Sequence, residues 1–383
     1  MTVRRARNPF RFESPLEPED LIGRGREVGW LVDAALERRV VSLAAPRRYG
    51  KTSVLRAAGR RLESEHDVVV AHVDLLGLAD AEDFAARFGS AWRRAVAGRR
   101  RLRRQLDQLL GGLAEVGVTV LGSGVQVTRR PAREEAGVAA VHALLDLPGD
   151  ADTPVLVVLD EFQALHAAWA QGEGVLRSHT QSPQQAGRVA WAFAGSQPSL
   201  LAAAFSDAGR AYYQQALALP LGRLADADLA GGIAEQFRAS GREVGTALSP
   251  LLRLAAGHPQ RAMLLAHALW DATPSGGESD NARWLAALAQ VRARVADEAT
   301  GVWESLSPAQ QAALRSVQRH GTATAAPTSP AGVSRASRQS AQEALLRRGL
   351  VEQVEVGTGV TGRRYRPVDP LLGDWLDQRK LGG

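Results

Sequence analysis

Ala45-Pro46-Arg47-Arg48-Tyr49-Gly50-Lys51-Thr52-Ser53 lies between a short apolar run, Val40-Val41-Ser42-Leu43-Ala44, and a helical pattern that opens at Val54-Leu55-Arg56-Ala57-Ala58. Strand, glycine-lysine-threonine turn and helix come in the order that a triphosphate requires. Backbone N–H groups of such a turn and of the following helix point at the anion. The lysine reaches the β- and γ-phosphates, and the threonine hydroxyl helps to hold Mg²⁺. Residues 45–53 therefore read as a phosphate-binding loop. The alternative is a strand-turn-helix corner that carries the three residues by chance. One position departs from the usual pattern, because Ala45 stands where glycine is expected five residues before Gly50. Alanine serves there provided that its φ stays below zero.

Such a loop predicts a partner, an apolar strand ending in an acid. Val155-Leu156-Val157-Val158-Leu159-Asp160-Glu161-Phe162 supplies it. A continuous apolar run is what a parallel strand buried on both faces looks like. Asp160 at the strand end is placed to reach a Mg²⁺ held by Thr52. Successive strand side chains point to opposite faces, so Glu161 is free to act as general base toward the attacking water. A third strand, Arg188-Val189-Ala190-Trp191-Ala192-Phe193-Ala194, runs into Gly195-Ser196-Gln197-Pro198. Ser196 or Gln197 is a candidate sensor of the γ-phosphate; otherwise Ser196 is a helix cap.

Taken together, Asn8-Pro9-Phe10, Ile22-Gly23-Arg24 with Glu27, APRRYGKTS (45–53), LVVLDEFQ (156–163), FAGSQPSL (193–200) and Ala256-Gly257-His258-Pro259-Gln260 resemble the archaeal-type ATPases, near the STAND and AAA-like P-loop proteins. The likeness runs from Asn8 to the C-terminus. It implies an α/β P-loop core of parallel strands with an additional central strand, a small helical lid and a C-terminal winged helix-turn-helix. It further implies that Phe10, Ile22, Gly23 and Arg24 border the adenine of ATP, and that the turn at Gly257-His258-Pro259 lies near the nucleotide. A glutamine beside Ser196, where an arginine would stand, departs from the apoptotic-type STAND switches.

The domain boundaries expected on this reading are 1–225 for the ATPase core, 226–300 for the lid and 301–383 for the winged helix. Within the core, Asp67 to Asp74 reads as a further strand, followed by helix to about Leu110 with a break at Gly111-Gly112. The alternation of Val116 to Val120 and Val125 to Val127 about Gly122-Ser123-Gly124 reads as a hairpin. Arg99-Arg100-Arg101-Leu102-Arg103-Arg104 is either a polyanion grip or a solvated helix face. Arg210 and Arg223 follow the third strand, and each is either an arginine finger or a structural ion pair. Proline just inside a helix start is favourable, so a helix opening at His258-Pro259 could aim its N-terminus at the nucleotide. His258 then either reports the phosphate state or simply caps the helix.

Ser307-Pro308 starts a helix, and a second helix, Ser337 to Leu346, ends at Gly349. Leu350 to Val354 and Arg364 to Val368 bracket Gly357-Thr358-Gly359 as a wing. Arg335, Arg338 and Gln339 open the recognition-type helix, and Arg363 and Arg364 lie on the wing. Duplex DNA is one partner; a protein or a second copy of the chain is the other.

The 383 residues suffice for two or three domains. The absence of cysteine excludes disulfides and cysteine-ligated zinc. No apolar span or secretory leader is evident, which makes a cytoplasmic protein with no membrane partner the expectation. Only Lys51 and Lys380 are lysines, the other basic residues being arginine, and the net charge of +6 permits polyanion contact. Two functions compete. The first is a Mg²⁺-dependent ATPase that acts as a nucleotide switch, with Lys51, Glu161, Ser196 and Arg210 at the chemistry. The second is a non-hydrolysing DNA-binding regulator held together by ATP.

Overall fold

The computed structural model describes residues 7–115, 118–121, 124–127, 133–207, 209, 212, 214–323, 335–354 and 363–379. By contacts the chain forms two compact units, one of residues 25–45 with 51–221 and one of residues 1–24, 46–50 and 222–383.

The first unit is an α/β layer structure. Its elements are α1 (Gly25–Leu36), β1 (Val40–Ala44), α2 (Lys51–His66), β2 (Val69–Asp74), α3 (Ala81–Ala95), α4 (Arg100–Glu115), β3 (Val118–Leu121), β4 (Gly124–Val127), α5 (Arg133–Asp146), β5 (Val155–Asp160), α6 (Gln163–Ala168), α7 (Gly172–Thr180), β6 (Val189–Gly195), α8 (Pro198–Ser206) and β7 (Leu217–Pro220). Five strands form one sheet in the order β2-β5-β6-β1-β7, and all neighbours run parallel. The strand β6 thus separates β1 from β5, which is the additional central strand. Every residue of β5 and β6 is buried, as their unbroken apolar runs require. Phe84, Phe88 and Trp92 of α3 and Leu144 of α5 pack with Trp191 and Phe193 in the main core.

β3 and β4 pair antiparallel, forming the expected hairpin. Two local readings change. The helix α4 runs through Gly111-Gly112, since an interior glycine costs only about 1 kcal/mol relative to alanine and does not by itself end a helix. The edge strand β7, four largely exposed residues ending in proline, is a short addition that the sequence reading did not place.

The second unit holds a 3-10 turn (Pro18–Asp20), α9 (Asp226–Ala239), α10 (Leu248–Ala255), α11 (Pro259–Ala272), α12 (Asn281–Glu304), α13 (Pro308–His320), α14 (Arg335–Arg347), β8 (Val351–Val354), β9 (Arg364–Pro367) and α15 (Pro370–Gln378). The helices α9 to α11 and the start of α12 enclose a core that also takes in Phe10, Ile22 and Leu371. A second core joins Ala299, Trp303, Leu314, Leu345, Tyr365 and Leu376. Helix, helix, antiparallel strand pair and closing helix make the winged-helix arrangement. Ser307 caps α13 in a reciprocal capping box with Gln310.

By contacts the helical unit takes up the chain again at Gly222. Residues 1–24 group with the helical unit, because Phe10 packs on Phe237 with ring centroids 5.2 Å apart. The boundary at 300 falls inside α12, whose two ends belong to different cores. The wing turn at 357–359 lies outside the described residues. Among the described residues no helix is long and apolar enough to cross a membrane.

Candidate nucleotide site

The carboxyl ends of β5 and β6 and the start of α2 bring together Lys51, Thr52, Asp160, Glu161 and Ser196. The Lys51 ammonium, buried at the first turn of α2, donates to Asp160 Oδ1 and to Glu161 Oε1 at 2.9 Å. Thr52 Oγ1 donates to Asp160 Oδ2 at 3.1 Å. His72 of β2 places its Nε2 3.6 Å from the same oxygen. Burial alone would raise the Asp160 pKa, but the His72 contact and the Lys51 charge outweigh it and hold the carboxyl well below its usual range.

Alternation along the strand predicted opposite faces for the two acids, and the structure corrects this. The strand ends at Asp160, and Glu161 takes a left-handed φ of 57°, a conformation that costs a non-glycine residue about 1–3 kcal/mol and recurs at functional sites. That turn aims both carboxylates at one lysine. The backbone N–H of Glu161 donates to Asp160 Oδ1 at 2.9 Å, and Ser196 Oγ donates to Glu161 Oε2 at 2.6 Å. Gln163 Nε2 donates to that same oxygen. Burial pushes the Glu161 pKa up, yet the Ser196 hydroxyl, the Lys51 ammonium and the Gln163 amide together lower it. Ser196 therefore engages Glu161 directly. His72 and Gln163 were missed in the sequence, although Gln163 stands within the LDEFQ run.

The donor set suits a hard divalent cation. Thr52 and Asp160 present adjacent oxygens, and Mg²⁺ favours a few protein oxygens completed by phosphate and water. Among the described residues no group of three or more His, Cys, Asp or Glu side chains is arranged to hold a metal by itself.

In the loop, Ala45 is absent from the positive-φ residues, meeting the condition for a small residue there. Gly50 has φ +86°, and nothing would obstruct a Cβ at that position, so glycine is required for backbone freedom and not for space. Residues 46–50 make their contacts within the helical unit. Tyr49 is 1% exposed. Its hydroxyl donates to Glu352 Oε2 of β8 at 2.8 Å, and its ring meets His258 edge-on at 4.9 Å. Arg24, buried, donates to the Tyr49 carbonyl at 3.2 Å and to that of Gly222 at 2.6 Å. Glu352 Oε1 also accepts from Arg223 at 2.6 Å and from Arg366 at 2.8 Å. Arg223 further donates to the carbonyls of Ala256, Pro367 and Val368. These bonds commit it to structure. Arg48, at φ 69°, donates to Glu298 at 2.6 Å.

Phe10 and Ile22 are core residues of the helical unit. Gly23 has φ +68°, and a Cβ there would lie 2.8 Å from Asp228 Cβ. His258 caps α11, ahead of Pro259, by accepting from the Arg261 N–H at 3.3 Å. Burial lowers the His258 pKa from 6.5 to about 3. The unfolded chain therefore binds the extra proton first, and stability should begin to fall as the pH drops below about 6.5. His258→Gln should flatten the thermal midpoint between about pH 6 and pH 4.5; an unchanged profile there would contradict a neutral buried imidazole.

Arg210 lies outside the described residues, as does the side chain of Arg335 at the start of α14. On α14, Arg338 is half-buried and Gln339 exposed. Arg363 and Arg364 are both exposed, but Arg364 donates to the His320 carbonyl at 2.6 Å.

No protein-family model matches the chain, and no curated protein matches it. Solved structures do. A Walker-type ATPase of Pyrococcus abyssi superposes with a TM-score of 0.60 at 16% identity, over 96% of this chain and 99% of that one. The ORC2 protein of Aeropyrum pernix, in its ADPNP-ADP complexes, gives a TM-score of 0.57 at 17% identity, over 98% of this chain and 99% of that one. The fold is that of the P-loop ATPases, and the resemblance read from the motifs is matched by these archaeal neighbours at the level of architecture.

Proposed function

We propose that the chain binds ATP with Mg²⁺, hydrolyses it, and uses the nucleotide as a switch acting on its winged helix. The observation that carries this reading is the convergence of Lys51, Thr52, Asp160, Glu161 and Ser196 at one point. Lys51 and the N–H groups of the loop bind the β- and γ-phosphates. Thr52 and Asp160 would hold Mg²⁺, which when bound would offset phosphate charge. Water attacks the γ-phosphorus as the bond to the β,γ-bridging oxygen breaks, and Glu161 takes the proton that the water loses, leaving ADP and phosphate. The switch is supported by Tyr49, one residue before Gly50-Lys51, whose hydroxyl bonds to a strand of the winged helix. A phosphate bound at the loop would then be felt at Glu352.

Exposed Gln339 and Arg363 favour duplex DNA as the partner of the winged helix. Steady-state ATP turnover with and without duplex DNA tests the reading. Stimulation by DNA supports a DNA-coupled ATPase, and Arg363→Ala should then reduce the salt slope of binding by about one. Turnover indifferent to DNA directs the module to a protein partner. Nucleotide binding without turnover favours the regulator that ATP merely stabilises.

A further inference from the structure

We infer that Gln163 is a positioning residue for Glu161, occupying one carboxylate oxygen so that the other receives the proton. The inference rests on the hydrolytic reading above. Two donors meet at Glu161 Oε2: Ser196 Oγ at 2.6 Å and Gln163 Nε2 at 2.5 Å. A carboxylate oxygen offers two in-plane lone pairs, and both are taken. Among the described residues Oε1 accepts from Lys51 alone, at 2.9 Å, so the water's proton is delivered to Oε1.

The orientation of the amide is fixed by this carboxylate. Turned over, Gln163 would set its carbonyl oxygen against Glu161 Oε2, acceptor against acceptor. As it stands, its Oε1 is buried without a hydrogen-bond partner among the described residues, a desolvation cost that a purely structural glutamine would avoid. Room for that oxygen comes from Gly195, where a Cβ would lie 2.5 Å from Gln163 Oε1. The φ of Gly195 is not in the left-handed region, so alanine is acceptable to the backbone and its methyl would displace only the flexible amide end. The absent side chain at 195 and the glutamine at 163 form one device.

The test uses the full chain, with Gln163→Ala, Gln163→Glu and Gly195→Ala compared with wild type and with Glu161→Gln. Gln163→Ala should lower kcat about tenfold to a hundredfold while leaving the affinity for a non-hydrolysable ATP analogue unchanged. Gly195→Ala, whose methyl would displace the amide, should lower kcat in the same direction. Gln163→Glu keeps the size but removes the donor; it should lower kcat at least as far and carries the test if the alanine variant does not fold. A loss confined to kcat, with analogue affinity held, is what a merely structural glutamine would not give. Wild-type kcat in both Gln163 variants would overturn the inference. Wild-type turnover indifferent to Glu161→Gln would instead overturn the hydrolytic reading.

Discussion

Glu161→Gln is expected to keep ATP bound and to cut turnover by about a hundredfold to ten-thousandfold. The substitution preserves the shape of a side chain fixed by Ser196, Lys51 and Gln163. It removes the ability to take a proton and one negative charge beside the γ-phosphate, and it frees Lys51 from one of its two carboxylates. Lys51 and Thr52, the groups proposed to grip phosphate and metal, are themselves kept. Affinity should therefore hold or improve while the chemical step stalls. Filter retention of labelled ATP alongside phosphate release separates the two effects. Undiminished phosphate release would mean that another group is the base.

Asp369→Ala should be the most damaging change in the helical unit. Arg261 is almost wholly buried, and its Nε lies 3.0 Å from each Asp369 carboxylate oxygen. A further bond runs from Nη2 to Asp369, and Nη2 also reaches Glu298 at 3.1 Å. Deleting the aspartate leaves the buried guanidinium with Glu298 as its remaining carboxylate, a defect at the lower end of about 3–5 kcal/mol. It also removes the cap that accepts from the Leu371 N–H at 2.9 Å. A lower thermal midpoint and faster amide exchange across α11 and α15 should follow. Burial raises the Asp369 pKa, but the Arg261 bond outweighs it and the folded value is lowered. Its contribution is thus complete above the unfolded carboxyl pKa near 4 and is lost as pH falls through the folded value. The variant should lack that acid-side loss, which sits below the window assigned to His258.

The sequence made the α/β unit legible through local rules. An apolar run, a turn of fixed composition and a helical period specify β1, the loop and α2, and β5 and β6 announce themselves as strands buried on both faces. What it hid were directions. Period-two alternation assigns opposite faces to neighbouring residues, and it could not anticipate the left-handed turn at Glu161. His72 joins the site because β2 lies beside β5, a matter of strand order, whereas Gln163 joins it because the left-handed turn at Glu161 lets its amide reach the carboxylate two residues back. Phe10 and Ile22 were expected at an adenine; their burial in the helical core comes from contacts more than two hundred residues distant in sequence. For Arg223 the sequence left a finger and a structural ion pair open; its hydrogen bonds go to Glu352 and three carbonyls.

The 24-residue helix α12 has one end in each of two hydrophobic cores, and α15 likewise places Leu371 in one core and Leu376 in the other. A continuous helix of that length is about 36 Å long and bends little without proline or a defect in its hydrogen bonds. The two cores of the helical unit are thereby spliced by continuous helix instead of a loose linker near residue 300, so that neither core can be displaced without carrying the end of α12 that belongs to the other.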